Sequence, residues 1–436
     1  MRTIITTKQI KKDWTFLEYS TKEFTHGFHQ YPARMHPEIA KRLITKYASD
    51  AKSVVFDPFM GSGGVLVEAV IHGNNSIGID VNPFAVLLSK VKTTPIEPSK
   101  LRNRHEKLMS IAKQDFENHV NYNNAPKSIN LPFWYTKDSL EKLQILKNHI
   151  LKIKDPNMRD FFKICFSLTT RRVSYQRNSI YKIYRMKPEK RESFNPNTFS
   201  VFESISNKNI DNMKNFFNID FNAKAFPLLG DTRNAVDEFK KIPQEILDDG
   251  KSHLLVTSPP YGDHDTTVAY GQFSRHPGLW LEIPEEKELL EIDSVGLGGR
   301  KKKEVIDLES PLLDNILKII AEKDKQVTKK TNLSNRAHDV YAYFNDLDRC
   351  FDQISQILKK GDSYCCFVVA NRRVRRETIP TDEICVELAK KYGFKHKYTT
   401  YRTIANKAMA VKNAPENIAQ FSDSTMNEES IVVWKY

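Results

Sequence analysis

Residues 53–80 read SVVFDPFMGSGGVLVEAVIHGNNSIGID. A short apolar run (SVVF, 53–56) meets DPFMGSGG (57–64), then a helical VLVEAVIHG closed by Gly73, then a second strand-like run, NNSIGID (74–80). Strand, glycine-rich turn, helix and strand make one βαβ unit, the building block of a doubly wound parallel sheet. Glycines at such a turn let the backbone approach a ligand closely at a helix N-terminus. Asp80 closes the second strand, close to the roughly 20-residue spacing at which an acid grips ribose hydroxyls. Turn and acid together point to an adenosine-containing cofactor. The dinucleotide fingerprint wants glycine at the first, third and sixth positions, and here Gly61 and Gly63 are followed by Leu66 at the sixth. Asp57, at the strand tip, would repel a pyrophosphate but could pair with an ammonium group. A cofactor with an amino-acid end fits better, which points to S-adenosylmethionine.

Outward from this unit, HPEIAKRLITKYA (36–48) predicts a helix with Pro37 at its first position, and NPFAVLLSKVK predicts the helix after the second strand. The alternation stops near Thr94. Residues 95–222 are mixed, polar and basic, with helical stretches such as SLEKLQILKNHILKI. Strand character returns at AFPLLGD (225–231) and HLLVT. A second irregular stretch, 263–336, contains VGLGGRKKKE (295–304), read as a loop. A long amphipathic helix, DVYAYFNDLDRCFDQISQILKKG, then leads to the buried strand SYCCFVVAN, the helix PTDEICVELAKKYGF and the strands HKYTTYRTI and SIVVWKY. The expected organisation is therefore an α/β, Rossmann-like sheet domain from 1–94, 223–262 and 337–436, interrupted by insertions at 95–222 and 263–336. Insertions of this kind gather near the ligand-binding edge of the sheet.

Lysine and arginine number 67 against 54 acids, a net charge of +13, which favours a polyanionic partner. No apolar run reaches the roughly 18 residues of a membrane helix, and the first residues lack a signal-peptide apolar region, so a cytoplasmic location is expected. Five irregularly spaced cysteines suit neither a disulfide framework nor a zinc site. No metal is expected.

After HLLVT the chain reads SPPYGD (258–263), a strand ended by two prolines that cannot donate to a ladder. DPFMGSGG, GIDVNP and TSPPY resemble motifs I, II and IV of the DNA amino-methyltransferases, which methylate the exocyclic amine of cytosine (N4) or adenine (N6). FHQYPARMHPEIAKRLI resembles that family's motif X and LLGDTR its motif III, while SPPYGDHDTTVAYGQFSR and VVANRRVRRETIPTD also resemble SPPY members. The resemblance covers nearly all of the predicted sheet and neither insertion. It departs from the commonest arrangements, in which target recognition follows motif III or IV. Here the larger insertion lies between motifs II and III.

The resemblance implies a class I methyltransferase sheet and S-adenosylmethionine as cofactor. It places Asp57, Phe59, Gly61, Ser62 and Gly63 at the methionine end, Asp80 on the ribose and Asp231 on the adenine amine or, alternatively, at a helix N-cap. His29 and Tyr31 touch the cofactor carboxylate or serve packing. Ser258 and the Pro259 carbonyl would accept the amino hydrogens of the base, with Pro260 fixing the carbonyl direction. Tyr261 would stack on a base flipped from double-stranded DNA. Serine at position 258 favours cytosine N4 over adenine N6. A tRNA guanine-N2 enzyme and a non-catalytic DNA-binding protein are the rival readings. The basic stretch 169–191 interleaves Arg171, Arg172, Arg177, Lys182 and Arg185 with Tyr175, a pattern for a DNA backbone or for a solvated basic face. Arg300, in GGRKKKE, is a second phosphate contact or a loop residue. The family also implies a partner restriction endonuclease and, in a bacterium or archaeon, association with the nucleoid.

Overall fold

The computed structural model describes residues 14–436 apart from 179–180, 220–221, 248–249, 264–267, 284–285, 300–304, 329–334, 405–411, 414–422 and 425–426. Helix α1 (Pro37–Tyr47) precedes strand β1 (Val55–Asp57), which turns through the glycines into α2 (Gly64–Ile71) and β2 (Ser76–Asp80). Pro37 starts α1, where its missing N–H costs nothing, and the His36 ring accepts the Glu38 N–H as a cap. Asn82 caps α3 (Pro83–Thr93) in the same way through the Phe84 N–H.

The segment from β2 to β3 (Ala225–Leu229) is largely helical, with α4 (Pro98–Glu117), α5 (Lys137–Leu151), α6 (Pro156–Arg172) and α7 (Thr198–Phe217) as its long helices. Between β4 (Leu254–Thr257) and β5 (Tyr364–Val369) lie α8 (Tyr270–Leu281), α9 (Glu286–Val295), α10 (Pro311–Thr328) and α11 (Arg336–Ile357). Helix α12 (Thr381–Lys391) and strands β6 (Lys395–Thr403) and β7 (Glu428–Lys435) follow. The seven strands form one sheet in the order β3-β2-β1-β4-β5-β7-β6. β1 to β5 run parallel and β7 enters antiparallel between β5 and β6. The mixed α/β sheet is therefore mostly parallel. Its order reverses at β1, which pairs with β2 on one side and β4 on the other, and such a switch point opens a crevice beyond the carboxyl ends of the strands.

Alternate strand residues supply the two faces. Phe56, Leu255, Cys365 and Phe367 pack with Phe344, Phe351 and Leu388 from α11 and α12. Val55, Leu254, Val256, Cys366 and Val368 pack with Ile39, Leu43 and Ile44 of α1 and Val65 and Ala69 of α2. All five cysteines are buried free thiols.

Two expectations change here. The stretch 263–336, read as irregular, contains helices α8, α9 and α10; Gly271, Pro277 and Gly278 inside α8 hide its helical signal. Residues 95–222 do more than carry polar charge. Phe161, Phe162, Phe166, Phe202 and Phe216 are buried in a core that also takes Phe84 from α3 and Phe273 and Trp280 from α8. The Trp280 indole donates to the Tyr135 hydroxyl at 3.0 Å. Helices from the two segments thus share one apolar interior, each buried phenylalanine contributing roughly 1.5–3 kcal/mol. Among the described residues, no helix is long and apolar enough to cross a membrane.

Candidate active site

Four strand tips converge on the crevice. Asp57 ends β1, and its carboxylate accepts the Phe59 N–H at 3.1 Å and the Thr257 hydroxyl of β4 at 2.6 Å. Asp80 ends β2 and accepts the N–H groups of Gly61 at 2.9 Å and Asn82 at 2.8 Å. Burial pushes the Asp57 carboxyl up to about 7 and the Asp80 carboxyl up to about 6, against the pull of those hydrogen bonds. Neither acid has a cationic partner among the described residues.

The turn between them owes its shape to two left-handed glycines, Gly61 (φ +47°) and Gly63 (φ +71°). Their reasons differ. Gly61 lines the crevice. A Cβ on Gly63 would lie 2.6 Å from Ser89 Oγ of α3, so this glycine serves helix packing. The Ser89 hydroxyl donates to the Gly61 carbonyl at 3.0 Å, and buried Lys92 donates to the Ser62 carbonyl at 2.7 Å.

At the tip of β4, the Ser258 hydroxyl donates to the Tyr261 hydroxyl at 3.2 Å, which donates onward to Glu429 Oε1 of β7 at 2.8 Å. Arg402 of β6 pairs with the other oxygen of Glu429. Burial and the Glu429 charge raise the Tyr261 phenol well above its ordinary value, so it remains protonated. The Tyr343 hydroxyl of α11 donates to the Pro260 carbonyl at 2.6 Å, and buried Arg372 pairs with Asp263 just beyond. The Pro259 carbonyl has no partner among the described residues.

One cavity of 450 Å³ joins these parts. Of the residues expected at a cofactor or substrate, Tyr31, Asp57, Phe59, Gly61, Ser62, Asp80, Asp231 and Ser258 to Tyr261 line it. Two do not. Gly63 faces α3, as described. The His29 ring is buried against Phe84 and Phe273. Asp231 caps the turn at Thr232–Asn234 through the Arg233 N–H and also clasps the Arg233 guanidinium, which reaches Asp346 as well. Tyr31 receives a hydrogen bond from Asn82 at 3.2 Å, and Asn82 also donates to Ser274 of α8 at 2.7 Å.

The basic stretch divides. Arg171 is a correction: only 2 % exposed, it lies over the Phe273 ring and bonds Gln176, so it cannot face a DNA backbone. Arg172, Arg177 and Lys182 are exposed, and Tyr175 is half-buried. Arg185 stacks 3.9 Å above the Phe133 ring. Arg300 lies outside the described residues. Thr257, Asn82 and Arg372 fall inside the quoted motifs TSPPY, GIDVNP and VVANRRVRRETIPTD without being singled out there, while Lys92, Tyr343, Arg402 and Glu429 carry no site signal in the sequence. Each sits in an ordinary core helix or strand or beside one, and only the folded neighbourhood brings it to the site.

Could this crevice hold S-adenosylmethionine? The fit rests on its own chemistry: a glycine turn without side chains at the ligand face, and two buried acids lacking cations. An ammonium group and ribose hydroxyls would complete both acids, whereas a pyrophosphate would not. A doubly wound sheet with such a crevice beside a rigid Ser-Pro-Pro-Tyr tip defines a methyltransferase of the S-adenosylmethionine-dependent class.

The family described as DNA methylase matches residues 5–91. The chain is 38% identical over 437 residues to the Type II methyltransferase M.MvaI of Kocuria varians, covering 96% of this chain and 93% of that protein. Shorter similarities reach the Type II methyltransferase M.MjaII of Methanocaldococcus jannaschii, 37% identical over 97 residues (21% of this chain, 18% of that one), and a tRNA (guanine(10)-N2)-dimethyltransferase of Methanothermobacter thermautotrophicus, 35% over 52 residues (12% and 16%). The chain belongs to the DNA amino-methyltransferase family, and its methyl donor is S-adenosylmethionine.

Proposed function

We propose that this DNA methyltransferase modifies the exocyclic N4 of cytosine in double-stranded DNA, as the modification member of a restriction–modification pair. The carrying observation is the single cavity that unites the glycine turn with the Ser258–Tyr261 tip. The likeness to a protein named as a Type II methyltransferase, across nearly the whole chain, supports the pairing with an endonuclease.

The bound cofactor supplies a methyl group on a sulfonium, ready for attack by a weak nucleophile. In this reading the chain's residues position that nucleophile. The Ser258 hydroxyl gives its own proton to Tyr261, so its lone pairs are left to accept one amino hydrogen. The Pro259 carbonyl accepts the other. Held by both, the nitrogen lone pair is directed across the crevice, so these residues act on the attack by orientation, and the extra proton left on the methylated nitrogen passes to water. Asp57 pairs with the cofactor ammonium and Asp80 with its ribose, both acids lining the same cavity.

Serine rather than aspartate at position 258 is the ground for cytosine over adenine. DNA from a methyl-free host expressing the protein, digested and analysed by mass spectrometry, is expected to contain N4-methylcytosine. N6-methyladenine alone would overturn the choice of base and leave the amino-methyltransferase reading intact.

Glu429 is a positioning residue here, because it orients the Tyr261 hydroxyl that takes the Ser258 proton. Glu429→Gln is expected to lower kcat about tenfold, the worth of one hydrogen bond of roughly 1.4 kcal/mol, with KM for the cofactor unchanged. Equal losses in kcat and cofactor affinity would show general damage to the site instead.

The raised acids set a pH dependence. Without ligand, the fold keeps protons on Asp57 and Asp80 that the unfolded chain releases between about pH 4 and pH 7, so their contribution to stability falls as pH rises through that window. A cationic ligand favours ionised Asp57. Calorimetry is expected to show S-adenosylmethionine binding that tightens from about pH 5.5 to about pH 8, by up to about tenfold per unit below the Asp57 value. Affinity that is flat or weakens over that range would remove Asp57 from the ammonium.

A further inference from the structure

A second cavity, of 280 Å³, opens where the loop at 22–34 meets helices α6 and α7. Lys22, Arg34, Arg172 and Lys208 all line it, and no carboxylate does. None of these four cations has an ion-pair partner among the described residues. Elsewhere on the same helical layer cations do find acids, as in Lys90–Asp160, Arg102–Asp211 and Lys142–Asp138. Four like charges around one hollow repel one another, and an anion between them relieves that repulsion.

His29 supplies an independent observation. It lines this cavity, is 3 % exposed, and has Nδ1 on the Gln30 carbonyl, while Nε2 is buried with no hydrogen-bond partner. A buried polar atom left unmatched on a residue that lines a polar hollow is one that a guest or its water can complete. With Nδ1 donating, Nε2 is an acceptor. A water can donate one hydrogen to it and the other to an anion's oxygen.

Arg34 lines both cavities, and its Nη1 donates to the His26 carbonyl at 2.7 Å, which holds it between them. An anion in the second cavity therefore sits one guanidinium away from whatever occupies the first. A nucleotide turned into the first cavity stays joined to its flanking phosphates, and phosphate contacts are what fix a protein's register on DNA. We propose that the hollow formed by Lys22, Arg34, Arg172, Lys208 and His29 holds a backbone phosphate of the DNA strand whose base enters the main cavity. This rests on the DNA reading above and adds the surface along which that strand runs.

The test compares wild type with a Lys22→Ala/Arg172→Ala/Lys208→Ala variant, all three side chains being exposed and outside the main cavity. Binding of a fluorescent duplex, cut from DNA that wild type methylates, is measured across a salt series. The variant's log–log slope is expected to be shallower by about 0.9 for each phosphate it no longer neutralises, with S-adenosylmethionine affinity unchanged and the melting temperature not lowered. An unchanged slope in the folded variant overturns the phosphate site while wild-type methylation still stands. A wild type that neither binds nor methylates duplex DNA fails the underlying reading instead. Should inorganic phosphate raise the melting temperature of wild type alone while the DNA slopes coincide, the occupant is a small anion and the DNA assignment falls. If the triple variant misfolds, Lys22→Ala/Lys208→Ala gives the same readout.

Discussion

Ser258→Ala is expected to cut single-turnover methylation by about 10²–10³, the scale lost when one preorganised hydrogen-bonding group is removed from a reacting centre. The methyl replaces the hydroxyl that donates to Tyr261 at 3.2 Å, and nothing at the strand tip can take its place. Cofactor affinity should hold, because Ser258 follows β4 while the glycine turn follows β1. Tyr261→Phe separates two effects. It keeps a ring in the cavity but removes the hydroxyl between Ser258 and Glu429, leaving the serine proton free to compete for the base's acceptors. Its loss should therefore be smaller than that of Ser258→Ala and fall on kcat. Quenched-flow measurements with saturating cofactor decide this. A Ser258→Ala protein that turns over within twofold of wild type would remove the serine from the mechanism.

Asp80→Ala should act on the other half of the site. Removing one partner of a buried charged pair typically costs roughly 2–5 kcal/mol, which is about 30- to 5000-fold in S-adenosylmethionine affinity. The same carboxylate holds the N–H groups of Gly61 and Asn82, so the substitution also loosens the glycine turn. Asp80→Asn retains one acceptor oxygen and should fall between wild type and alanine. Calorimetry beside a melting curve distinguishes the cases. A folded Asp80→Ala protein with undiminished affinity would refute the ribose assignment.

Much of this architecture is legible in the sequence because its signals are local. Apolar runs that stop before the Gly61 turn and before the two prolines mark where strands end, and a strand's end is where a doubly wound sheet binds its ligand. What escapes is relational. Arg171 and Arg172 are adjacent in a basic run, yet about 100° apart around α6, so one enters the aromatic core and the other reaches solvent. No composition reveals that phase. Gly63 reads with Gly61 as a ligand-facing pair, because the Ser89 that crowds it lies on a different helix. His29 belongs to a motif that borders two cavities, and its neighbours settle which one it faces. Glu429, second in its strand, has nothing to separate it from a solvated edge acid until β7 lies beside the Tyr261 tip.

The pairing of β1 with β4 has a consequence for how the chain is made. The Thr257 hydroxyl that Asp57 accepts is supplied 200 residues later. At synthesis rates of roughly 5–20 residues per second, one side of β1 waits on the order of ten to forty seconds for its neighbour. A strand without that neighbour offers a row of open N–H and C=O groups to any other chain nearby, and pairings across such a distance form slowly. Helices α1 and α2 can cover a face of β1 in that interval but not its edge. The two walls of the cofactor crevice are thus born far apart in time, and the ligand's stabilising contribution arrives only after β4 has docked.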